Sequence, residues 1–175
     1  MTRVINLFGG PGTGKSTAAA VLFGLMKEEG HSVELVREYA KDLAWQQIPF
    51  TADIQIDLIA NQYNREKILY GKVDWIITDS PLMLGHIYTK YYQGLDYMLP
   101  VITHLQEYRS GLGVMDYNFF LNRHKIYDER GRNESEEQAK AIDSFITSTV
   151  KQMTLCTGPQ HGVDLFNYLN SEGLL

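Results

Sequence analysis

The stretch FGGPGTGKST, residues 8–17, decides the fold of this chain. Gly9, Gly14, Lys15 and Ser16 match the phosphate-binding P-loop pattern G-x-x-x-x-G-K-[ST] at every position. Glycines in this loop leave room for backbone N–H groups to point at the oxygens of a polyphosphate. Lys15 is expected to reach the β- and γ-phosphates, and the Ser16 hydroxyl to bind Mg²⁺. The predicted nucleotide-binding residues of the loop are Gly9, Gly10, Pro11, Gly12, Thr13, Gly14, Lys15, Ser16 and Thr17.

The segments on either side of the loop have the patterns of a strand and a helix. RVINLF predicts a buried strand, and KSTAAAVLFGLMKEEG predicts a helix that ends at Gly30. Strands and helices then alternate, which predicts an α/β fold with a parallel sheet covered on both faces. Further strands are predicted at 31–36, 73–79, 117–122 and within 153–173, and further helices at 38–47, 53–71, 81–94, 99–111, after 135 and within 153–173.

Two helix starts carry capping signals. Ser80 is predicted as an N-cap, with Pro81 at the first helical position, where a missing N–H costs nothing. Ser135 and Gln138 have the spacing of a capping box. The segment IPFTA, residues 48–52, is predicted to separate two helices.

Length and composition exclude several classes of protein. The 175 residues suit one domain, residues 1–175, with a core that needs no disulfides. The single Cys156 excludes a disulfide framework and a zinc site built from cysteines. His86, His104 and His124 show no metal-ligand spacing and are predicted to be structural.

Charge and hydropathy bear on location and partners. No apolar run approaches the roughly 20 residues of a membrane span, and the N-terminus runs directly into the first strand, so we expect a cytoplasmic protein that does not contact membranes. A net charge of −5 argues against a broad nucleic-acid-binding surface, although it is compatible with a local basic channel. Both a monomer and a homodimer are compatible with the sequence.

Two acidic residues follow predicted strands. In parallel sheets ligands bind beyond the carboxyl ends of the strands, so Asp79 is expected beside the P-loop, where it would hold Mg²⁺. Glu38 follows the second strand and is expected to accept the proton of an attacking hydroxyl. The alternative for both is a charge in the first turn of a helix, which complements the helix dipole without any ligand.

The polar loop RHKIYDERGRNES contributes arginines ahead of a long helix. Arg123, Arg130 and Arg132 are predicted to form an arginine lid over about residues 123–134, because phosphoryl transfer needs cations around the migrating group. Gly131 would let the loop fold over the nucleotide. The alternative is a solvated turn, because acidic residues in the same stretch offset the arginines.

Taken together, the P-loop, REYA after the second strand, TDSP after the third and the ERGRNES lid resemble the small P-loop nucleoside and nucleotide kinase superfamily. The likeness is closest to AAA-like kinase domains of bacteriophages and to the ribosylnicotinamide kinase domain of NAD-repressor proteins, and it spans residues 3 to about 150. It implies a three-layer fold with a five-stranded sheet in the order 2-3-1-4-5, ATP as donor and Mg²⁺ as cofactor. Glu38 matches the acidic base position and Asp79 the acidic position after the third strand.

The acceptor of the phosphoryl group is less defined. The pattern typical of deoxynucleoside kinases after the third strand is Glu-Arg-Ser. This chain has Asp79-Ser80-Pro81 there, so the arginine of that pattern is missing. Tyr88, Tyr91 and Tyr92 share one helix face and offer rings for stacking on a base; the alternative is that most of them are core or half-buried surface residues.

Three functions are therefore open. The first is a kinase for a nucleoside, a nucleotide or a related small acceptor. The second is a kinase acting on DNA, such as a hydroxymethyluracil base of phage DNA or a polynucleotide end, which would take part in DNA modification. The third is a nucleotide-dependent regulatory ATPase that passes phosphate to water.

Overall fold

The computed structural model describes residues 1–47, 54–124, 126–127, 134–158 and 160–175. The described strands form one parallel sheet in the order β2-β3-β1-β4-β5. The strands are β1 (Thr2–Phe8), β2 (Val33–Val36), β3 (Trp75–Thr78), β4 (Val114–Leu121) and β5 (Thr154–Cys156). The predicted α/β class and strand order are confirmed.

Helices cover both faces of the sheet. They are α1 (Lys15–Glu28), α2 (Ala40–Trp45), α3 (Ile54–Lys67), α4 (Leu82–Gln93), α5 (Met98–Gly111), α6 (Glu136–Thr149) and α7 (His161–Ser171). One core cluster joins α1 and α7 to the sheet, and a second joins α4 and α6 to its opposite face. No helix in the described part of the chain has the length and hydropathy needed to cross a membrane.

Strand β1 lies at the centre of the sheet and is buried on both faces. Its residues alternate: Ile5 and Leu7 pack toward α1 and α7, whereas Phe8 packs toward α4 and α6. It pairs with β3 on one side and with β4 on the other. The loop that follows β1 therefore emerges in the middle of the carboxyl edge, between the ends of the neighbouring strands.

The helix start after β3 differs from the prediction. Pro81 is the N-cap, α4 begins at Leu82, and no side chain caps the helix. Ser80 is held by the strand end instead, because its backbone N–H donates to Thr78 Oγ1 at 3.1 Å. The prediction of Ser80 as N-cap was therefore wrong by one position.

Other helix and strand boundaries also differ from the predicted ones. Helix α1 ends at Glu28, and Gly30 takes a left-handed conformation (φ 85°) just beyond it. Strand β4 begins at Val114, three residues earlier than predicted, because polar residues near its start have partners inside the fold. The capping box is confirmed, with Ser135 Oγ accepting from Gln138 N and Gln138 Oε1 accepting from Ser135 N. The predicted helix break at 48–52 lies outside the described residues.

A buried ionic network ties two helices to the sheet. Arg109 on α5 is 2% exposed and donates to Glu66 Oε2 on α3, which is 0% exposed, at 2.8 Å. The same guanidinium donates to Asp116 on β4, whose Oδ1 also accepts from Asn6 of β1 at 2.7 Å. Burial raises the pKa of the Glu66 carboxyl, and Arg109 opposes that rise. The network fixes α3 and α5, and with them one wall of the edge where the P-loop emerges.

We expect Arg109→Met to lower the free energy of unfolding by about 3–5 kcal/mol, because it leaves the Glu66 carboxylate buried without its cation. Urea denaturation measures this change. Lys27→Met is the matched control, since the Lys27–Glu34 pair is 43% and 45% exposed and should contribute less than about 1 kcal/mol. Equal losses in the two variants would contradict a structural role for the network.

Candidate active site

The P-loop between β1 and α1 has the conformation that its glycines permit. Gly9, Gly12 and Gly14 have φ of 147°, 82° and 92°, values that residues with a Cβ rarely adopt. The Lys15 ammonium donates to Gly9 O at 2.6 Å and lies 3.2 Å from Gly10 O. The loop therefore holds a cation inside its curve, at the N-terminus of α1.

Glu38 and Asp79 meet beside this loop at the ends of β2 and β3. The Glu38 backbone N–H donates to Asp79 Oδ1 at 2.9 Å, and Asp79 is buried. Burial raises the pKa of the Glu38 carboxyl, and the Lys15 charge opposes the rise. Burial lowers the pKa of Lys15, while Glu38 and Asp79 oppose that change. One cation and two carboxylates thus form a single electrostatic cluster, as their positions in the sequence predicted.

The cluster opens onto a cleft of about 900 Å³. On one side its lining comes from the P-loop and the first turn of α1, including exposed Ser16 and Thr17. The opposite side is lined by residues of α2, α3, α4 and the start of α6: Tyr39, Ala40, Lys41, Gln55, Leu58, Ile59, Gln62, Leu82, Leu84, Gly85, Tyr88, Tyr92, Gln93 and Gln138. A volume of this size suits a small-molecule ligand.

Two of the three predicted tyrosines line this cleft. Tyr88 and Tyr92 stack with ring centroids 6.2 Å apart and an interplanar angle of 8°. The Tyr92 hydroxyl donates to Glu134 Oε1 at 2.6 Å. Burial raises the pKa of both phenols, so both stay protonated at neutral pH. Tyr91 packs against Phe145 instead, next to the core between α4 and α6.

Gln62 on α3 was not anticipated from the sequence. It is buried in the wall of the cleft, where its Oε1 accepts from Tyr39 N and its Nε2 donates to Thr78 Oγ1, both at 3.2 Å. It therefore joins the ends of β2 and β3 from the helix above them. Its signal in the sequence is a glutamine at the helical spacing of Ile59 and Tyr63, on the buried face of α3.

Asp143 on α6 was also missed, although it contacts the P-loop directly. Its Oδ1 accepts from Gly10 N at 2.6 Å, and its Oδ2 accepts from Arg123 Nη2 at 2.8 Å. A Cβ on Gly10 would lie 2.7 Å from Asp143 Oδ1 and 2.8 Å from Ala139 O, so only glycine fits this approach of the helix. The only sequence feature that points to Asp143 is its position one turn after Ala139, beside the apolar face of α6.

The structure describes only part of the predicted lid. Besides its pairing with Asp143, Arg123 donates to Pro11 O at 2.8 Å, so its guanidinium braces the P-loop from outside. Arg130, Gly131 and Arg132 lie outside the described residues, and their roles stay predictions. The roles predicted for Lys15 and the carboxylates likewise rest on placement alone.

Comparison with known proteins agrees with this geometry. Residues 4–157 match the model of a protein family described as an AAA domain (AAA_28). The chain belongs to this family. Since the match covers the P-loop, both acidic residues and the strand ends, it includes every element of the cluster described above. A search of curated proteins found no match.

Two solved structures share the fold. A NadR protein solved in complex with NR superposes with a TM-score of 0.73 at 13% identity, covering 99% of this chain and 52% of the NadR chain. The crystal structure of APE1195 gives a TM-score of 0.55 at 16% identity, covering 99% of this chain and 96% of the other. The predicted fold is thus confirmed by both structures, and the predicted AAA-like family by the match over residues 4–157.

We expect Asp143→Ala to weaken nucleotide binding about ten-fold or more, because a hydrogen bond to a charged group is worth about 1.5–3 kcal/mol and this one fixes the P-loop backbone. Titration calorimetry with a non-hydrolysable ATP analogue measures the affinity. Ser144→Ala is the control, since the exposed Ser144 hydroxyl only donates to the Lys140 carbonyl of the same helix. If Asp143→Ala binds the analogue like wild type, the loop does not need α6 for its shape.

Proposed function

We propose that this chain is one P-loop kinase domain, an ATP- and Mg²⁺-dependent phosphotransferase that moves the γ-phosphate to a nucleoside, a nucleotide or a related small acceptor. The observation that supports this most is the cluster of Lys15, Glu38 and Asp79 at one end of a cleft of about 900 Å³. A cation for phosphate oxygens and a carboxylate for an acceptor proton are the two groups that such a transfer requires.

The residues beside the P-loop fit a magnesium ion. The Ser16 hydroxyl is exposed at the first turn of α1, and the Asp79 carboxylate lies at the end of the adjacent strand. Both offer the hard oxygen donors that Mg²⁺ prefers. When bound, the ion neutralises charge that develops on the phosphate oxygens. Asp79 Oδ1 already accepts from the Glu38 backbone, so the same carboxylate also orients the residue proposed as base.

The chemical step follows from these positions. Lys15 exchanges its hydrogen bonds to the Gly9 and Gly10 carbonyls for bonds to the β- and γ-phosphates of ATP. Glu38 takes the proton of the acceptor hydroxyl as the acceptor oxygen forms a bond to the γ-phosphorus. The bond from that phosphorus to the β–γ bridging oxygen breaks, and ADP leaves with the bond's electron pair.

The far side of the cleft favours a hydroxyl over a phosphate as the accepting group. Among its described lining residues the only cation apart from Lys15 is Lys41, whereas bound phosphates are commonly held by the forked donors of arginine. Arg65, the one arginine of α3, is paired with Asp42. The paired rings of Tyr88 and Tyr92 supply an apolar surface for the acceptor's base or ring.

The nature of the acceptor is the next question for experiment. ADP release would be measured with ribo- and deoxynucleosides, their monophosphates, nicotinamide riboside, and plain or hydroxymethyluracil-containing DNA, with Lys15→Ala as the control for contaminating activity. A single small acceptor that raises release well above background supports the proposal. Stimulation by DNA alone would favour the DNA kinase, and turnover that no acceptor stimulates would favour the regulatory ATPase.

Glu38→Gln should lower kcat by roughly 10²- to 10⁴-fold with little change in ATP affinity, because it removes the proton acceptor and keeps the shape. In the wild type the base must be ionised, and its pKa is raised, so kcat/KM should fall as the pH drops through a value above the ordinary 4.5. Glu38→Gln should lack this acid limb of the pH profile.

Asp79→Asn should instead raise the Mg²⁺ concentration needed for half-maximal activity. If Asp79→Asn loses kcat alone and Glu38→Gln raises the Mg²⁺ requirement, Asp79 is the base and Glu38 the metal ligand.

Arg132→Ala, or failing that Arg130→Ala, should lower kcat far more than ATP affinity. An arginine on the transferring phosphate is worth about 10³- to 10⁵-fold in kcat. Lysine at the same position should restore little, because it lacks the planar fork. Steady-state kinetics with the identified acceptor give both parameters. Two alanine variants with wild-type turnover would reduce the loop to a charged turn.

A further inference from the structure

Three potential metal ligands meet on the opposite flank of the molecule from α2 and α3. Cys156 is the last residue of β5, His161 is the first residue of α7, and Asp164 follows one turn later. One ligand atom from each lies within 4.8 Å of the other two. The cysteine and the histidine are buried, and the aspartate is half-buried. None of the three lines the cleft of the proposed active site.

The separation of the two softer donors matches a shared ion. Cys156 Sγ lies 3.5 Å from His161 Nδ1. A tetrahedral ion about 2.3 Å from a sulfur and about 2.0–2.1 Å from a ring nitrogen holds these two atoms roughly 3.6 Å apart. The positions of these two atoms therefore need almost no adjustment to bind one metal.

Backbone groups already orient two of the ligands. The Cys156 thiol donates to the His161 backbone carbonyl at 3.9 Å. Gln160 N donates to Asp164 Oδ2 at 3.1 Å. A Cβ on Gly158 would lie 2.0 Å from that same oxygen, so the turn wraps closely around the carboxylate. Such outer contacts hold the ligands of real metal sites in position.

The geometry points to a metal site formed by Cys156, His161 and Asp164 that takes a borderline-soft divalent ion, Zn²⁺ by its sulfur, nitrogen and oxygen donors. Water takes the fourth position. A single cysteine excludes a zinc site built from cysteines alone, whereas this mixed site needs only one cysteine.

The competing occupant of the cluster is a proton. Without metal, the Cys156 thiol adjoins the His161 imidazole. Binding a metal forms a bond from the sulfur to the ion and releases the thiol proton to solvent.

Metal binding would brace the junction of β5 and α7 against the helix that follows the P-loop. Gly162, in the first turn of α7, packs so closely on α1 that a Cβ would lie 2.6 Å from Val21 Cβ and 2.9 Å from Ala18 O. The ion would therefore add a link between the edge strand and the α1–α7 pair without touching the cleft. We expect Zn²⁺ to raise the melting temperature of the wild type.

Cobalt titration of the full chain tests the site directly. Because the chain has one cysteine, a thiolate-to-cobalt charge-transfer band can come only from Cys156. We expect one Co²⁺ per chain with this band and with the visible spectrum of a tetrahedral ion, both abolished by one equivalent of Zn²⁺. A wild type that shows no such band, or that Zn²⁺ does not stabilise, overturns the proposal without reference to any variant.

The variants then assign the ligands. Cys156→Ser should remove the band and weaken Zn²⁺ binding at least about 100-fold, since even outer-shell partners are worth about 10- to 100-fold. Asp164→Asn should weaken binding and keep the band. His104→Gln, on the exposed surface of α5, is the control and should bind like wild type. Asp79→Asn should also keep the band, which separates this site from the magnesium site. Zn²⁺ affinity unchanged in both Cys156→Ser and Asp164→Asn would refute the assignment.

Discussion

The hydrogen bond from Gly10 N to Asp143 Oδ1 couples the P-loop to a helix more than a hundred residues away in the chain. The loop's left-handed glycines cost conformational entropy, and an isolated loop of this composition would sample many shapes. Asp143 selects one of them and, through Arg123, holds the Pro11 carbonyl as well. The position of Lys15, and so of every charge around it, depends on that selection.

Glu38 is half-buried and Glu66 is fully buried, and only one of them is accessible from the cleft. Burial raises the pKa of both Glu38 and Glu66. Glu66 is sealed from solvent and bound to Arg109, so it has no path to a substrate proton. Glu38 lines an open cleft beside Lys15. Burial sets the basicity of each carboxyl, whereas access decides which of them can do chemistry.

The parts of the site that the sequence predicted are those encoded locally. The P-loop, the acidic residues at strand ends and the capping box at Ser135 each depend on neighbours within a few residues, and their patterns are specific. Asp143, Gln62 and the Cys156–His161 pair depend on which helix packs on which strand, and no short pattern records that. Ser80 is not the cap because α4 begins one residue later than predicted, at Leu82, so Pro81 occupies the N-cap position.

The ionic network around Arg109 also limits how this sequence can change over generations. Replacing Arg109 alone leaves the Glu66 carboxylate buried without its cation, whereas replacing Glu66 alone leaves Arg109 paired with Asp116. Arg109 can therefore be lost at low cost only after Glu66 or together with it. Among related chains, few should keep Glu66 after losing Arg109.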